Sequence, residues 1–254
     1  MEPENREVTR FKERPPKEEV WFYENANYTG KKYILTRGFY SLKTLGMDAN
    51  DFFSSALIPR GIKVFVFEDD DLKGNCYQLR PDYKPATSIF QSVNANFEKV
   101  EVLTGKNTLN QNLIGFKDIN DKISSIVVFD ETQDFATLYE NQFYLGKAKI
   151  LYPVDLVNDA YNNVAGTWGY ATLAPYNFNN ILSSLKANGI VSGYQIFQEN
   201  NFSGKSKQFL YNVPNLKDIG FSTGAFLDIK NSDWNDRASS ILLYFKTGKV
   251  IIEN

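Results

Sequence analysis

The sequence predicts an all-β protein assembled from repeated four-stranded Greek keys. Three observations carry this expectation. Aromatic residues make up 15% of the 254-residue chain, with 20 Phe and 15 Tyr, and these side chains suit the pleated, half-buried surface of strands. A phrase with the residue pattern of a folded-over hairpin occurs four times. A polar phrase, in most copies running straight into a strand-like run, also occurs four times and alternates with the first. Self-similarity at this spacing marks a repeated structural unit.

The hairpin phrase reads Tyr23-Glu24-Asn25-Ala26-Asn27-Tyr28-Thr29-Gly30, then Phe67-Glu68-Asp69-Asp70-Asp71-Leu72-Lys73-Gly74. It returns as Tyr139-Glu140-Asn141-Gln142-Phe143-Tyr144-Leu145-Gly146 and as Phe197-Gln198-Glu199-Asn200-Asn201-Phe202-Ser203-Gly204. Each copy has an aromatic, Glu or Gln, a polar turn, an apolar residue, and Gly at a fixed offset. The glycine can take the positive φ that such a turn requires, and the two apolar side chains can pack across it.

The polar phrase reads Asn50-Asp51-Phe52-Phe53-Ser54-Ser55, Asn120-Asp121-Lys122-Ile123-Ser124-Ser125, Asn179-Asn180-Ile181-Leu182-Ser183-Ser184 and Asn235-Asp236-Arg237-Ala238-Ser239-Ser240. Three copies lead into clear strands: Ala56-Leu57-Ile58, Ile126-Val127-Val128-Phe129 and Ile241-Leu242-Leu243-Tyr244. Hairpin, connection and closing strand, four times over, is the order of a Greek key.

Two stretches break the regular spacing. From Gly74 to Asn120 the gap is 46 residues, against 20 from Gly30 to Asn50. This places an insertion at about 78–102 inside the second key. The alternative is a partial extra key, with Ile89-Phe90-Gln91 to Asn94-Ala95-Asn96-Phe97 as a degenerate hairpin phrase. A milder insertion at about 155–175 contains Trp168 and Tyr170, read as loop aromatics that pack back on their own domain. Residues 1–19 are rich in Glu, Lys and Arg and contain Pro15-Pro16. They offer too little apolar surface to offset ordering, so a flexible charged tail is expected.

Composition removes several function classes. The chain has no His and a single cysteine, Cys76. Histidine-based triads, imidazole zinc sites and intrachain disulfides are therefore excluded, and Cys76 is expected to be a buried apolar thiol. A formal charge of -2 gives no reason to expect nucleic acid as a partner. No apolar run reaches the roughly 18 residues of a membrane span. The opening Met-Glu-Pro-Glu-Asn-Arg-Glu lacks the apolar stretch of a secretory signal. The acidic run Asp69-Asp70-Asp71 reads as a solvated turn, because adjacent side chains at a hairpin tip diverge. No set of residues suggests catalysis, and the chain is not expected to be an enzyme.

The polar phrase has the chemistry of a hard-cation loop. Calcium takes about six to eight oxygens from carboxylates, amides, hydroxyls, backbone carbonyls and water. Softer metals would want Cys or His ligands. Asn-Asp and Ser-Ser are also ordinary turn residues. Four copies, each downstream of the same hairpin phrase, favour the cation reading.

With both phrases in order four times, the sequence over about 20–247 resembles the βγ-crystallin family, particularly its microbial calcium-binding members. The resemblance implies a β-sandwich in which two Greek keys pair into one domain, hence domains at about 20–131 and 132–248. It also implies two Ca2+ sites per domain, built across the paired keys. Carried over, backbone carbonyls come from Glu24, Glu68, Glu140 and Gln198, and from Phe52, Lys122, Ile181 and Arg237. Side-chain oxygens come from Asp51 and Ser54, Asp121 and Ser124, Asn180 and Ser183, and Asp236 and Ser239. Asn180 departs from the pattern by offering a neutral amide. The implied role is a structural or stress-type protein stabilised by calcium. The alternatives are a carbohydrate- or surface-binding module that meets a glycan or protein through the 155–175 loop, or a proteinase inhibitor on the same fold.

Overall fold

A computed structural model describes residues 15–46, 49–79, 90–93, 100–106, 112–117, 119–132, 135–151, 167–217 and 233–254. The first key opens with β1 (Val20–Asn25) and β2 (Thr29–Leu35), continues through β3 (Gly38–Tyr40) and the one-turn helix α1 (Leu42–Leu45), and closes on β4 (Ser55–Pro59). The second contains β5 (Ile62–Asp69), β6 (Lys73–Leu79), β7 (Phe90–Val93), the hairpin β8 (Val100–Lys106) and β9 (Asn112–Lys117), and β10 (Ser125–Asp130). The third contains β11 (Ala136–Asn141), β12 (Leu145–Leu151), β13 (Thr167–Tyr170) and β14 (Ser184–Ala187). The fourth contains β15 (Val191–Phe197), β16 (Ser206–Phe209) and β17 (Ser240–Phe245), and β18 (Val250–Glu253) follows.

Strand exchange locks the keys together in pairs. β3 of the first key leaves β1 and β2 and pairs with β10 of the second. In return β7 of the second key pairs with β4 of the first. The later half repeats the arrangement, with β13 on β17 and an isolated antiparallel bridge from Val213 to Leu185 of β14. The resulting sheets run β18-β2-β1-β4-β7 and β3-β10-β5-β6 in one half, and β12-β11-β14 and β13-β17-β15-β16 in the other. β8 and β9 pair with each other. Within the stretch read as an insertion at 78–102, β7 is thus an integral sheet strand, while 80–89 and 94–99 lie outside the described residues. Of the 155–175 stretch, 167–170 form β13. Tyr170 is buried there, its ring 5.8 Å from that of Tyr176, and the Trp168 side chain lies outside the described residues. So do the tail up to residue 14 and the Cys76 side chain.

The unbroken apolar runs of β5 and β10 have a direct cause. Their sheet is covered on both faces, so no position needs to be polar. One face sends Val64, Val66, Ile126 and Val128 into a core with Phe22, Tyr33 and Phe53. The other sends Phe65, Val127 and Phe129 into the core built by β11 to β17. Phe129, Phe135 and Phe245 form a ring chain across this junction, with centroids 5.1 and 5.0 Å apart.

The segment after β17 turns back onto the first key. Phe39 N–H donates to Lys246 O (2.9 Å), Gly248 N–H to Phe39 O (3.1 Å) and Thr36 N–H to Lys249 O (3.2 Å). β18 then lies antiparallel to β2, from Val250 opposite Leu35 to Glu253 opposite Lys32. The crossing admits no side chain. A Cβ on Gly248 would fall 2.1 Å from Tyr40 Oη, and one on Gly38 would fall 2.4 Å from Gly248 Cα.

Tyr40 anchors the crossing, its hydroxyl 2.7 Å from Thr36 O and 3.0 Å from Lys249 O. Burial pushes its phenol up to about 12, whereas an unfolded tyrosine ionises near about 10. Between these values the unfolded chain has lost the proton and the native one has kept it, so stability falls as pH rises. Tyr194, buried with its hydroxyl on Tyr211 O, shifts in the same direction. Denaturant unfolding from pH 9 to 12 is expected to show an alkaline loss of about 2–3 kcal/mol from Tyr40 alone. Tyr40→Phe should lack that share of the loss.

Candidate metal centres

The four hairpins share one backbone. Two consecutive left-handed residues occur at Asn27 and Tyr28, Asp71 and Leu72, Phe143 and Tyr144, and Asn201 and Phe202, each followed two positions on by a positive-φ glycine. The aromatic of the phrase closes the turn, with Tyr23 on Tyr28, Tyr139 on Tyr144 and Phe197 on Phe202 at 5.5–5.9 Å.

The second serine of each loop braces its own hairpin. Ser55, Ser125, Ser184 and Ser240 are fully buried. They donate to Asn25 O, Asp69 O, Asn141 O and Glu199 O at 2.6–2.8 Å. They accept from the N–H groups of Tyr28, Leu72, Tyr144 and Phe202 at 3.0–3.1 Å. This role was missed in the sequence, although an invariant Ser at a fixed distance from a turn with orphan backbone groups could have signalled it.

The first serine faces a different way. Its N–H donates to the carbonyl of the hairpin aromatic, as Ser54 to Tyr23, Ser124 to Phe67, Ser183 to Tyr139 and Ser239 to Phe197, at 2.8–3.0 Å. That contact holds the hydroxyl near the next carbonyl, and Ser124 Oγ lies 2.7 Å from Glu68 O. The long connection within the second key therefore leaves Glu68 beside its loop. The Glu side chains are used elsewhere: Glu24 accepts from Lys31 N–H, Glu68 from Tyr77 Oη and Glu140 from Lys147 N–H.

Loops then meet in pairs across the exchanged keys. Ser54 Oγ donates to Asp121 Oδ1 (3.2 Å), and Ser124 Oγ lies 2.8 Å from Asn50 Oδ1, whose amide holds Asp51 Oδ2 at 3.0 Å. In the later half Ser183 Oγ donates to Asp236 Oδ1 (3.3 Å) and Ser239 Oγ to Asn180 Oδ1 (3.1 Å). Backbone bonds fasten each pair: Asp51 N–H to Ile123 O, Asp121 N–H to Phe53 O, Asn180 N–H to Ala238 O and Asp236 N–H to Leu182 O. Three loops thus lend their second residue to the other loop's serine, and the first lends Asn50, which in turn holds Asp51. Asp51, Asp121, Asn180 and Asp236 all sit at φ 50–57°, a left-handed conformation that Asn and Asp adopt more readily than other side-chain-bearing residues. The backbone alone therefore accounts for part of the residue choice.

Two concavities open at the later pair. One is lined by Glu140, Ile181, Ser183 and Asp236, the other by Gln198, Arg237, Ser239 and Asn180. Phe52, the corresponding residue of the first loop, packs edge-on against Tyr33, and Lys122 is exposed. Burial, with Asp233 and Glu140 nearby, raises Asp236 from its ordinary value despite the opposing bond from Ser183. Asn179 Oδ1 and Asn235 Oδ1 are buried with no hydrogen-bond partner, an expensive state for an amide oxygen that a cation would relieve. The donors are all oxygen, which fits calcium. Among the described residues no three acidic, Cys or His side chains cluster, so a cation held here would rely mostly on hydroxyls, amides and carbonyls. The acidic run is a structural turn: Asp70 Oδ1 accepts the first free N–H of α1, from Leu42, at 2.7 Å.

No family model matches the chain. Over 90 residues it is 28% identical to spherulin-3A of Physarum polycephalum, a match that spans 35% of this chain and 86% of that protein. Among solved structures, a βγ-crystallin domain from Flavobacterium johnsoniae is 27% identical, with 44% of this chain and 96% of that one covered and a TM-score of 0.29. Protein S complexed with calcium is 21% identical, with 89% and 98% covered and a TM-score of 0.29. Folded hairpins, exchanged third strands and serine-braced loops together define a Greek-key β-sandwich protein. Over these keys the chain is similar to βγ-crystallin-type proteins.

Proposed function

We propose that this is a calcium-binding structural protein rather than an enzyme, with sandwich domains at about 20–131 and 132–248 and a pair of calcium sites in each. The observation that supports this reading is the reciprocal pairing of serine and Asp or Asn oxygens across the two loops of a half, beside hairpin carbonyls. The sites would be Glu24, Ser54 and Asp121; Glu68, Ser124 and Asp51; Glu140, Ser183 and Asp236; and Gln198, Ser239 and Asn180. Carbonyls of Phe52, Lys122, Ile181 and Arg237 complete the sets. Calcium supplies a divalent charge that neutralises the loop carboxylates. The chain's own loops assemble these oxygens only when both keys are folded, so the ion favours the folded state by mass action.

Calorimetric titration of the chelator-stripped protein tests the reading. Three or four sites are expected, with affinities from about micromolar to sub-millimolar, and magnesium should compete poorly because it demands tighter octahedral geometry. Absence of both heat and thermal shift at millimolar calcium would refute it. The amide at Asn180 brings a dipole where the other loops bring a charge, so its site beside Ser239 should be the weakest. Asn180→Asp is expected to tighten that site by roughly tenfold, since ligand charge tunes calcium affinity. The added thermal stability should appear in calcium and vanish in chelator.

A further inference from the structure

We propose that the tip of the third hairpin, carrying Phe143 and Leu145, docks on an anionic phospholipid surface, with the adjacent calcium site as its switch. The switch rests on the calcium reading above; the docking element rests on a contrast among the four hairpins. At the first left-handed position three hairpins carry Asn27, Asp71 and Asn201, and the third carries Phe143 at φ 58°. Bulky residues take a left-handed φ at the second position of every turn, as Tyr28, Leu72, Tyr144 and Phe202 do, but only the third turn adds such strain at the first position, where Asn or Asp sits elsewhere. Two residues on, the other hairpins carry Thr29, Lys73 and Ser203, and the third carries Leu145. Both departures put apolar groups in water: Phe143 is 61% exposed and Leu145 62%. The strained turn is held by Phe143 N–H donating to Pro214 O at 2.5 Å.

The surroundings select the partner. Phe143 and Leu145 line the same concavity as Glu140, Ser183 and Asp236. Lys147 is exposed beside them, and Lys186 Nζ stands 4.2 Å over the Tyr144 ring. Two side chains on a protruding turn fall far short of the roughly 800 Å² per partner of a stable protein interface. An apolar tip flanked by lysines suits insertion at the headgroup boundary of an anionic membrane. One small apolar anchor binds lipid only marginally and needs a second signal. Glu140 and Asp236 repel anionic headgroups until a divalent cation neutralises them, which supplies that signal.

Co-sedimentation of the full chain with phosphatidylcholine vesicles, with and without phosphatidylserine, in calcium and in chelator, tests the proposal. Pelleting is expected only with phosphatidylserine and calcium together. A Phe143→Asn, Leu145→Thr variant, built from residues found at the matching positions of the other hairpins, should lose about tenfold in partitioning. It should keep its calcium titration and melt no lower than the wild type, because the strain is relieved. The proposal is overturned by no pelleting, by equal pelleting in chelator, by full binding of the variant, or by capture of a protein through this tip without vesicle binding. Calcium heat without pelleting overturns the docking alone, whereas no calcium heat overturns the calcium reading itself.

Discussion

Phe135→Ala is expected to destabilise the protein by about 3–5 kcal/mol, the range for truncating a fully buried aromatic in a core that cannot collapse around the void. Phe135 is fully buried. Its ring touches Phe129 from the first half and Phe245 from the second. Its backbone is fixed by bonds to Leu151 O and from Asn188 N–H. The cavity therefore opens where the two halves share one core, and the surrounding strands are held by ladders that resist closing over it. Urea unfolding followed by tryptophan fluorescence and by far-ultraviolet circular dichroism would measure both the loss and its spread. A single transition in the wild type should become broader or biphasic in the variant, as coupling between halves weakens. A loss below about 1 kcal/mol would mean that the junction repacks and that the ring chain is not what joins the halves.

Gly248→Val is the second large effect, and here the cause is overlap rather than a void. The new Cβ would lie 2.1 Å from Tyr40 Oη and 2.3 Å from Tyr40 Cζ, and Tyr40 is enclosed in the core of the first half. Relief requires the segment to lift from β3, which breaks the bonds of Phe39 with Lys246 and Gly248 and of Thr36 with Lys249. Buried groups left unpaired cost about 1–3 kcal/mol each where water cannot reach them, so a net loss of about 2–4 kcal/mol is expected. Deleting residues 248–254 should produce a similar loss, because both changes release the same strand. A valine variant that melts with the wild type would show that the segment does not cross at this position.

The fold was legible because each key announces itself locally. The aromatic at the start of the hairpin phrase, the glycine at its end and the Ser-Ser pair ahead of each closing strand are all read within a few residues. What escaped was non-local. Nothing in Phe90 to Val93 says that this strand belongs to the sheet of the first key, since pairing is decided by a partner 34 or so positions away, at Pro59 to Ala56. The same holds for β18, whose four residues carry no hairpin signal and find their place against β2. In the loops the residue types were readable, but their partnership was not. Ser54 and Asp121 are 67 residues apart, and only the exchange of strands brings them together. Only the first serine of each pair was read as an oxygen donor, and the structure gives the second a separate task as the buried brace of its hairpin. The contrast at Phe143 was present in the sequence all along, but it acquires meaning only once the turn is known to be left-handed there.

The return of β18 to β2 also bears on how the chain is made. Thr36 and Lys249 lie 213 residues apart. At about 5–20 residues per second, a ribosome needs roughly ten to forty seconds to supply the second once the first has emerged. Once β4 and β7 have followed, β2 remains the unprotected margin of that sheet, with unpaired amides and carbonyls of the kind that recruit foreign strands. A strand that serves the folded molecule as a clasp is, for the molecule being made, a piece that arrives long after the edge it covers.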